Sequence, residues 1–227
     1  MSTFYDQEFG EISVRRSARA RSMKASVAPN GSLRISLPPY VPLIMAKRMI
    51  SSSRHEVRQL LTMQPHMEFI DGMQIGKSHS LHVRNGATFS VRRAGQQIVV
   101  SLANEPLETQ AVQAAIRIEV LQALRKEAKH YLPKRLEYLA QQHGLHYASI
   151  RFSHASSRWG SCSSNGTISL NIALMTLPFE LIDYVLVHEL AHTKEMNHST
   201  NFWSIVKQFD PEYAQHKKIL KTHSPHI

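Results

Sequence analysis

The sequence predicts an α+β protein. A β-rich N-terminal part, residues 1–105, carries one amphipathic helix, and residues 106–227 form a second domain in which a histidine-bearing helix packs on a small sheet. Three observations predict this. Apolar and polar residues alternate around Gly-containing turns over residues 11–37 and again over 69–102, the pattern of strands with one buried face. Apolar residues recur at helical spacing over residues 107–142 and from Phe179 to Leu190. Asn104-Glu105-Pro106 separates the two regimes, since a proline disfavours helix in the residue before it.

In the first block, Ile12 and Val14 precede the basic set Arg15, Arg16, Arg19, Arg21 and Lys24. Residues 25–27 then lead to a turn at Pro29-Asn30-Gly31-Ser32. Asn-Gly is a strong hairpin signal because both residues accept positive φ. Leu33, Ile35 and Leu37 form the return strand. The arginines fit a phosphate-binding stripe, or equally the solvent face of a strand whose charge discourages edge pairing. Pro38-Pro39 ends the strand. Residues 41–62 read as an amphipathic helix burying Leu43, Ile44, Met49, Ile50, Val57, Leu60 and Leu61, with serines 51–53 weakening its middle.

In the second block, Phe69-Ile70 and residues 73–75 flank Asp71-Gly72, and residues 81–83 and 88–91 flank Asn85-Gly86. Each pair reads as a hairpin. Residues 98–102 close the set. The plan matches that of the first block and hints at a duplicated β unit.

The helix over 107–142 turns Ala111, Val112, Ala115, Ile116, Ile118, Val120, Leu121 and Leu124 to its apolar side, is kinked or restarted at Pro133 and stops at His143-Gly144. Short strands follow over 150–152, 157–162 and 167–171, with Asn165-Gly166 turning the last pair. Thr176 caps and Pro178 opens the next helix, which buries Phe179, Leu181, Ile182, Val185, Leu186 and Leu190 and ends near Asn197. Ser199 caps a helix over 200–209 that Asp210-Pro211 stops. Residues 217–227 read as a frayed basic tail.

The chemistry of the chain gathers at His188-Glu189-Leu190-Ala191-His192, with His198 six residues further on. Helix positions four apart share a face, so the imidazoles of His188 and His192 converge. A third histidine at the turn between two helices can fold back onto the same point. Such a set suits one Zn²⁺ ion, whose open coordination position takes water and lowers its pKa from about 15.7 to about 7. Glu189 then stands beside that water as general base. An oxyanion formed in hydrolysis needs a donor, for which Arg158, Tyr184 and Tyr213 are candidates. Asp183 and Asn197 are candidates to orient the histidines. His130, His143, His146, His154, His223 and His226 are isolated in the sequence and read as solvated.

With 42% hydrophobic and 19% charged residues the composition is that of a globular protein rather than a disordered one. No apolar run approaches the about 20 residues that span a bilayer, and residues 1–21 lack the apolar core of a signal peptide, so a cytoplasmic protein without membrane association is expected. One cysteine, Cys162, excludes an intrachain disulfide framework. Residues 1–105 carry 14 Lys and Arg against 7 Asp and Glu, the remainder 13 against 10. The basic N-terminal half fits a polyanionic partner, nucleic acid or nucleotide among them, or a surface that keeps the protein soluble.

Taken together, Arg158-Trp159-Gly160-Ser161-Cys162-Ser163, Ile168-Ser169-Leu170-Asn171, Asp183-Tyr184-Val185, the histidine run, Asn197-His198-Ser199 and Phe202-Trp203 resemble the YgjP-like metallopeptidase family. The resemblance is marked over about residues 150–220 and continues more faintly upstream. It implies a zincin-like metallopeptidase domain, His188, His192 and His198 as metal ligands, and Glu189 as general base. It implies a peptide or protein substrate. The run is also similar to that of the SprT-like proteases, which act on proteins crosslinked to DNA, although this chain has no Cys-rich zinc ribbon. The histidine spacing is that of metzincins, but Glu195 stands where their glycine would. Three other functions stay open on the sequence: hydrolysis of a nucleotide phosphoanhydride by the same ion and water, proteolysis confined to DNA-bound targets, and metal binding without catalysis.

Overall fold

The computed structural model describes residues 2–18, 20–27, 32–62 and 67–227. Arg19 and the expected turn residues Pro29, Asn30 and Gly31 lie outside them. The chain divides into two units, Met1–Met67 and Glu68–Ile227.

In the first unit, strands β1 (Ser2–Asp6), β2 (Gly10–Arg16), β3 (Lys24–Val27) and β4 (Leu33–Leu37) form a sheet in the order β1-β2-β4-β3. The central pair is parallel and the outer pairs antiparallel. Alternate residues of β2 and β4, namely Ile12, Val14, Leu33, Ile35 and Leu37, form one core with Ala46, Ile50 and Val57. The last three belong to helices α1 (Leu43–Ser52) and α2 (Arg54–Thr62). The serine run splits the expected single helix in two, with Ser53 as the C-cap of α1. Strand β1 had no signal in the sequence. The turn that follows it is held by Arg54, which donates to Asp6 and Glu8 at 2.8–3.2 Å.

The second unit opens with β5 (Gln74–Ile75), β6 (His79–Asn85), β7 (Ser90–Ala94) and β8 (Gln97–Leu102), in the order β5-β6-β8-β7. Its parallel centre and antiparallel flanks repeat the first sheet strand for strand. The duplication hinted at in the sequence is thus one of topology. The hairpins expected around Asp71-Gly72 and Asn85-Gly86 do not form. β5 pairs with β6 around Gly76, and β7 with β8 around Gly95. Strand β8, whose Ile98, Val99 and Val100 are all buried, takes the central place beside β6 and leaves β7 at the edge.

Helix α3 (Gln110–His143) runs through Pro133 without restarting and stops at Gly144, whose φ of 61° supplies a left-handed cap. The division at 67/68, rather than 105/106, follows from what α3 holds. Gln113 bonds both backbone groups of Phe69, and Glu127 accepts from the backbone N–H groups of Lys77 and Ser78. The strands of residues 74–102 therefore share a core with α3.

A three-stranded sheet follows, β9 (Ser149–Ser153), β10 (Gly160–Cys162) and β11 (Thr167–Asn171), in the order β10-β11-β9. A 3₁₀ turn, Ile172–Thr176, leads to α4 (Phe179–Ala191), α5 (Thr200–Phe209) and α6 (Tyr213–Leu220). Helix α4 packs against α3, α5, α6 and β10. Thr176 closes the 3₁₀ turn onto Ala173 instead of capping α4. Helix α4 ends at Ala191, short of Asn197, because the N–H groups of Thr193 and Lys194 turn back to the carbonyls of Leu190 and Ala191. The expected frayed tail holds the last turn of α6, and Ile227 is buried with its backbone oxygen accepting from Arg117 Nε at 3.1 Å. Among the described residues no helix is long and apolar enough to cross a membrane.

Candidate active site

Helix α4 is apolar along most of its length and emerges at its C-terminal end with His188, Glu189 and the C-cap His192. His198 sits in the following turn. Ser199 accepts from the N–H of Phe202 and starts α5 at once, which fixes how far the turn can swing. Phe202 lies four residues after His198 and is fully buried. Its ring stands 4.9, 4.5 and 4.7 Å from the rings of His188, His192 and His198. It is the apolar wall against which all three imidazoles rest. Trp203 stacks on His198 at 5.7 Å. The quoted Phe-Trp pair carried no role in the sequence; the helical spacing of Phe202 from His198 was the available signal.

One ligand nitrogen from each of His188, His192 and His198 lies within 4.8 Å of the others, so the three could hold a metal ion. Nε2 of His188 and Nε2 of His198 are 3.1 Å apart. Two nitrogens on one tetrahedral zinc would lie roughly 3.3 Å apart, so the spacing fits. His192 Nδ1 faces the Glu195 carbonyl oxygen at 3.1 Å, which orients the ring and leaves Nε2 for the ion. Burial pushes the His188 imidazole down to about 3, helped by the neighbouring His192, His198 and Lys217. Burial lowers His192 as well. Imidazoles kept neutral are what metal binding requires.

Glu189 is 5% exposed, and its Oε2 is buried without a hydrogen-bond partner among the described residues. Burial pushes its carboxyl up to about 8, opposed by the charge of Arg158. Glu189 and His188 line a cavity of about 200 Å³ together with Trp159, Gly160, Tyr184, Val185 and Leu220. A larger cavity, about 470 Å³, lies elsewhere in this unit beside Lys77, Glu127 and Phe179. None of the three histidines lines it, so the smaller one is the candidate site.

The structure treats the other sequence candidates unequally. Tyr184 lies one helical turn before His188, lines the cavity, and has its phenol pushed up to about 12 by burial, so it stays protonated. Arg158 is exposed and reaches Glu189 through charge alone. Tyr213 stacks on Trp203 at 5.5 Å. Asp183 does not orient a histidine. It forms a paired salt bridge with Arg135 of α3 at 2.6–2.8 Å, because five residues before His188 it faces another side of the helix. Nor does the Asn197 side chain take that part; the Glu195 carbonyl does.

Asn171 was missed as a positioning residue. It is fully buried, donates to the carbonyls of Ala155 and Arg158 at 2.7 and 2.9 Å, and accepts from Ala173 N–H at 3.0 Å. It thereby ties down the segment that leads into Trp159 and Gly160. His154 is half-buried rather than solvated, and burial beside His226, Arg125 and Arg117 pushes it down to about 4. His143 stacks on Phe209 at 4.0 Å.

A family model described as "YgjP-like, metallopeptidase domain" matches residues 21–223. The crystal structure of the metallopeptidase zymogen of Pyrococcus abyssi abylysin is 30% identical over 40% of this chain and 92% of its own, with a TM-score of 0.36. That of the metallopeptidase zymogen of Methanocaldococcus jannaschii jannalysin is 20% identical over 40% of this chain and 94% of its own, with a TM-score of 0.35. No curated protein matches the chain.

Proposed function

Because the chain belongs to the YgjP-like metallopeptidase family, we propose that it is a zinc-dependent peptidase in which His188, His192 and His198 hold the ion and Glu189 is the general base. The observation that carries the reading is the convergence of three imidazole nitrogens within 4.8 Å beside a buried carboxyl. When bound, zinc supplies a Lewis acid that polarises a carbonyl and lowers the pKa of water. The chain's own residues then divide the remaining work. Glu189 takes the proton of the attacking water and passes it to the departing amine. Burial outweighs the charge of Arg158 at Glu189, and the positive charge of a bound ion would add to Arg158 in favouring the carboxylate that accepts the proton. Tyr184, protonated and lining the same cavity, donates to the developing oxyanion. Phe202 and the Glu195 carbonyl keep the imidazoles in place.

The test combines metal content with turnover. Wild type should carry near-stoichiometric zinc by elemental analysis, and His192→Ala should lose it. Glu189→Gln should keep the zinc and lose peptide cleavage by about 10²–10⁴-fold. A library of quenched peptides and, in parallel, nucleoside triphosphates serve as substrates. Release of pyrophosphate or phosphate without peptide cleavage would replace the peptidase reading with phosphoanhydride hydrolysis.

A further inference from the structure

The register of each four-stranded sheet turns its polar residues to one side, and the same chemistry recurs on both sheets. In the first, Arg15, Ser36 and Lys24 stand opposite one another across β2, β4 and β3, and Ser13, Arg34 and Ser26 form the adjoining row. In the second, His82, Val99 and Arg92 form one row across β6, β8 and β7, and Arg84, Ser101 and Ser90 the next. The other face of each sheet is the apolar one, with Ile12, Val14 and Ile35 buried in the first and Leu81, Ile98 and Val100 in the second. Arg15, Lys24, His82, Arg84 and Arg92 are exposed.

Residues at the ends of a row lie two strand spacings apart, about 10 Å. Among the described strand residues on these two faces the one carboxylate is Glu11, opposite Tyr5. Arg16, which the sequence grouped with Arg15, belongs to the other set of positions and donates to the carbonyls of Pro39 and Val41 at 2.7 Å. The basic stripe expected along one stretch of chain is therefore replaced by a patch assembled from three strands.

A sheet face whose exposed positions are mainly cations and hydroxyls, with Val99 and Ser101 covered between them on the second sheet, and that nearly lacks carboxylates is complementary to a row of phosphates, which accept from Arg, Lys and Ser side chains. Among the described strand residues on these faces the aromatic side chains are Tyr5 and His82, so base stacking has little to work with. We propose that each of these two sheet faces, taken by itself, binds the phosphate backbone of a nucleic-acid duplex without reading its sequence.

Fluorescence anisotropy of a labelled DNA duplex of about 20 base pairs, titrated with the full chain from about 50 to 200 mM salt, tests this. Affinity should fall log-linearly with salt. Arg15→Ala/Lys24→Ala/Arg34→Ala should weaken binding and lower the salt slope by about 3. His82→Ala/Arg84→Ala/Arg92→Ala should lower it by about 2, one for each arginine. Arg15→Lys/Arg34→Lys should retain the slope. Lys47→Ala/Arg48→Ala, on helix α1 against the opposite face of the first sheet, should leave it unchanged. An unchanged slope in both triple variants overturns the proposal. So does an equal loss per charge from the α1 pair, which would mean net charge alone. Tight binding to phosphatidylserine vesicles with none to the duplex overturns it in favour of a lipid surface. The readout is binding, so its failure is distinct from failure of the peptidase reading.

Discussion

A Cβ added to Gly160 would stand 2.6 Å from Oε1 of Glu189, closer than real Cβ atoms approach a neighbour. Edge strand β10 and helix α4 meet there with room for backbone only. Gly160 does not have positive φ, so it is space and not backbone conformation that requires the glycine. In the proposed mechanism this contact sets where the general base stands. Gly160→Ala should cut peptide turnover by about 100-fold, since a shift of about 1 Å costs that much, while zinc content stays at the wild-type level. Full turnover in the variant would show that Glu189 does not act from this position.

The proposed ion should also stabilise the fold that gathers its ligands. At free zinc near 100 times the dissociation constant, binding adds about 2.7 kcal/mol. For a unit of this size that corresponds to about 5–10 °C in melting temperature. Dialysis against a chelator should lower the calorimetric midpoint by that much, zinc should restore it, and His192→Ala should show neither change.

Asn171 satisfies two carbonyls and one N–H inside the protein. Asn171→Ala leaves these groups buried and unpaired, at about 1–3 kcal/mol each with incomplete additivity. A loss of about 3 kcal/mol in urea unfolding is expected. Turnover should fall beyond what the unfolded fraction explains, because the segment carrying Trp159 and Gly160 is released.

Away from the candidate site, the Glu127 carboxyl is nearly buried beside His79, with Nδ1 at 2.6 Å from Oε1. Burial raises its pKa, but donors from the Lys77 N–H, His79 and Ser78 outweigh this and hold it below the ordinary value. A carboxyl lowered in the folded state stabilises the protein above its unfolded pKa and ceases to do so as pH falls through the folded value. Glu127→Gln should therefore cost about 2–3 kcal/mol at pH near 7. The gap to wild type should narrow below the ordinary Glu value of 4.5. Urea midpoints at neutral pH and in acid measure it; a gap that stays constant with pH would rule the charge out as its source.

What was legible in the sequence was local. The pairing of His188 with His192, the Ser199 cap of α5, the Asn165-Gly166 turn and the Gly144 stop each depend on residues a few positions apart. Helical repeat, caps and positive φ are set at that range. Where strands had to choose partners, local signals failed. Asn85-Gly86 has the composition of a hairpin turn, yet β6 pairs in parallel with β8. Burial of Ile98, Val99 and Val100 decides the centre of that sheet, and no turn dipeptide carries that information.

The sequence by itself determined which three histidines come together as the proposed metal ligands, the helices that present them and the alternation that makes both sheets two-faced. Only the tertiary structure decided that Gly160 meets Glu189, that Glu127 meets His79 and that Arg15, Lys24 and Arg34 share one face. These partners lie between about 10 and 50 residues apart. Closing such loops costs entropy whichever partners meet, so the selection falls to burial and close packing summed over the whole unit.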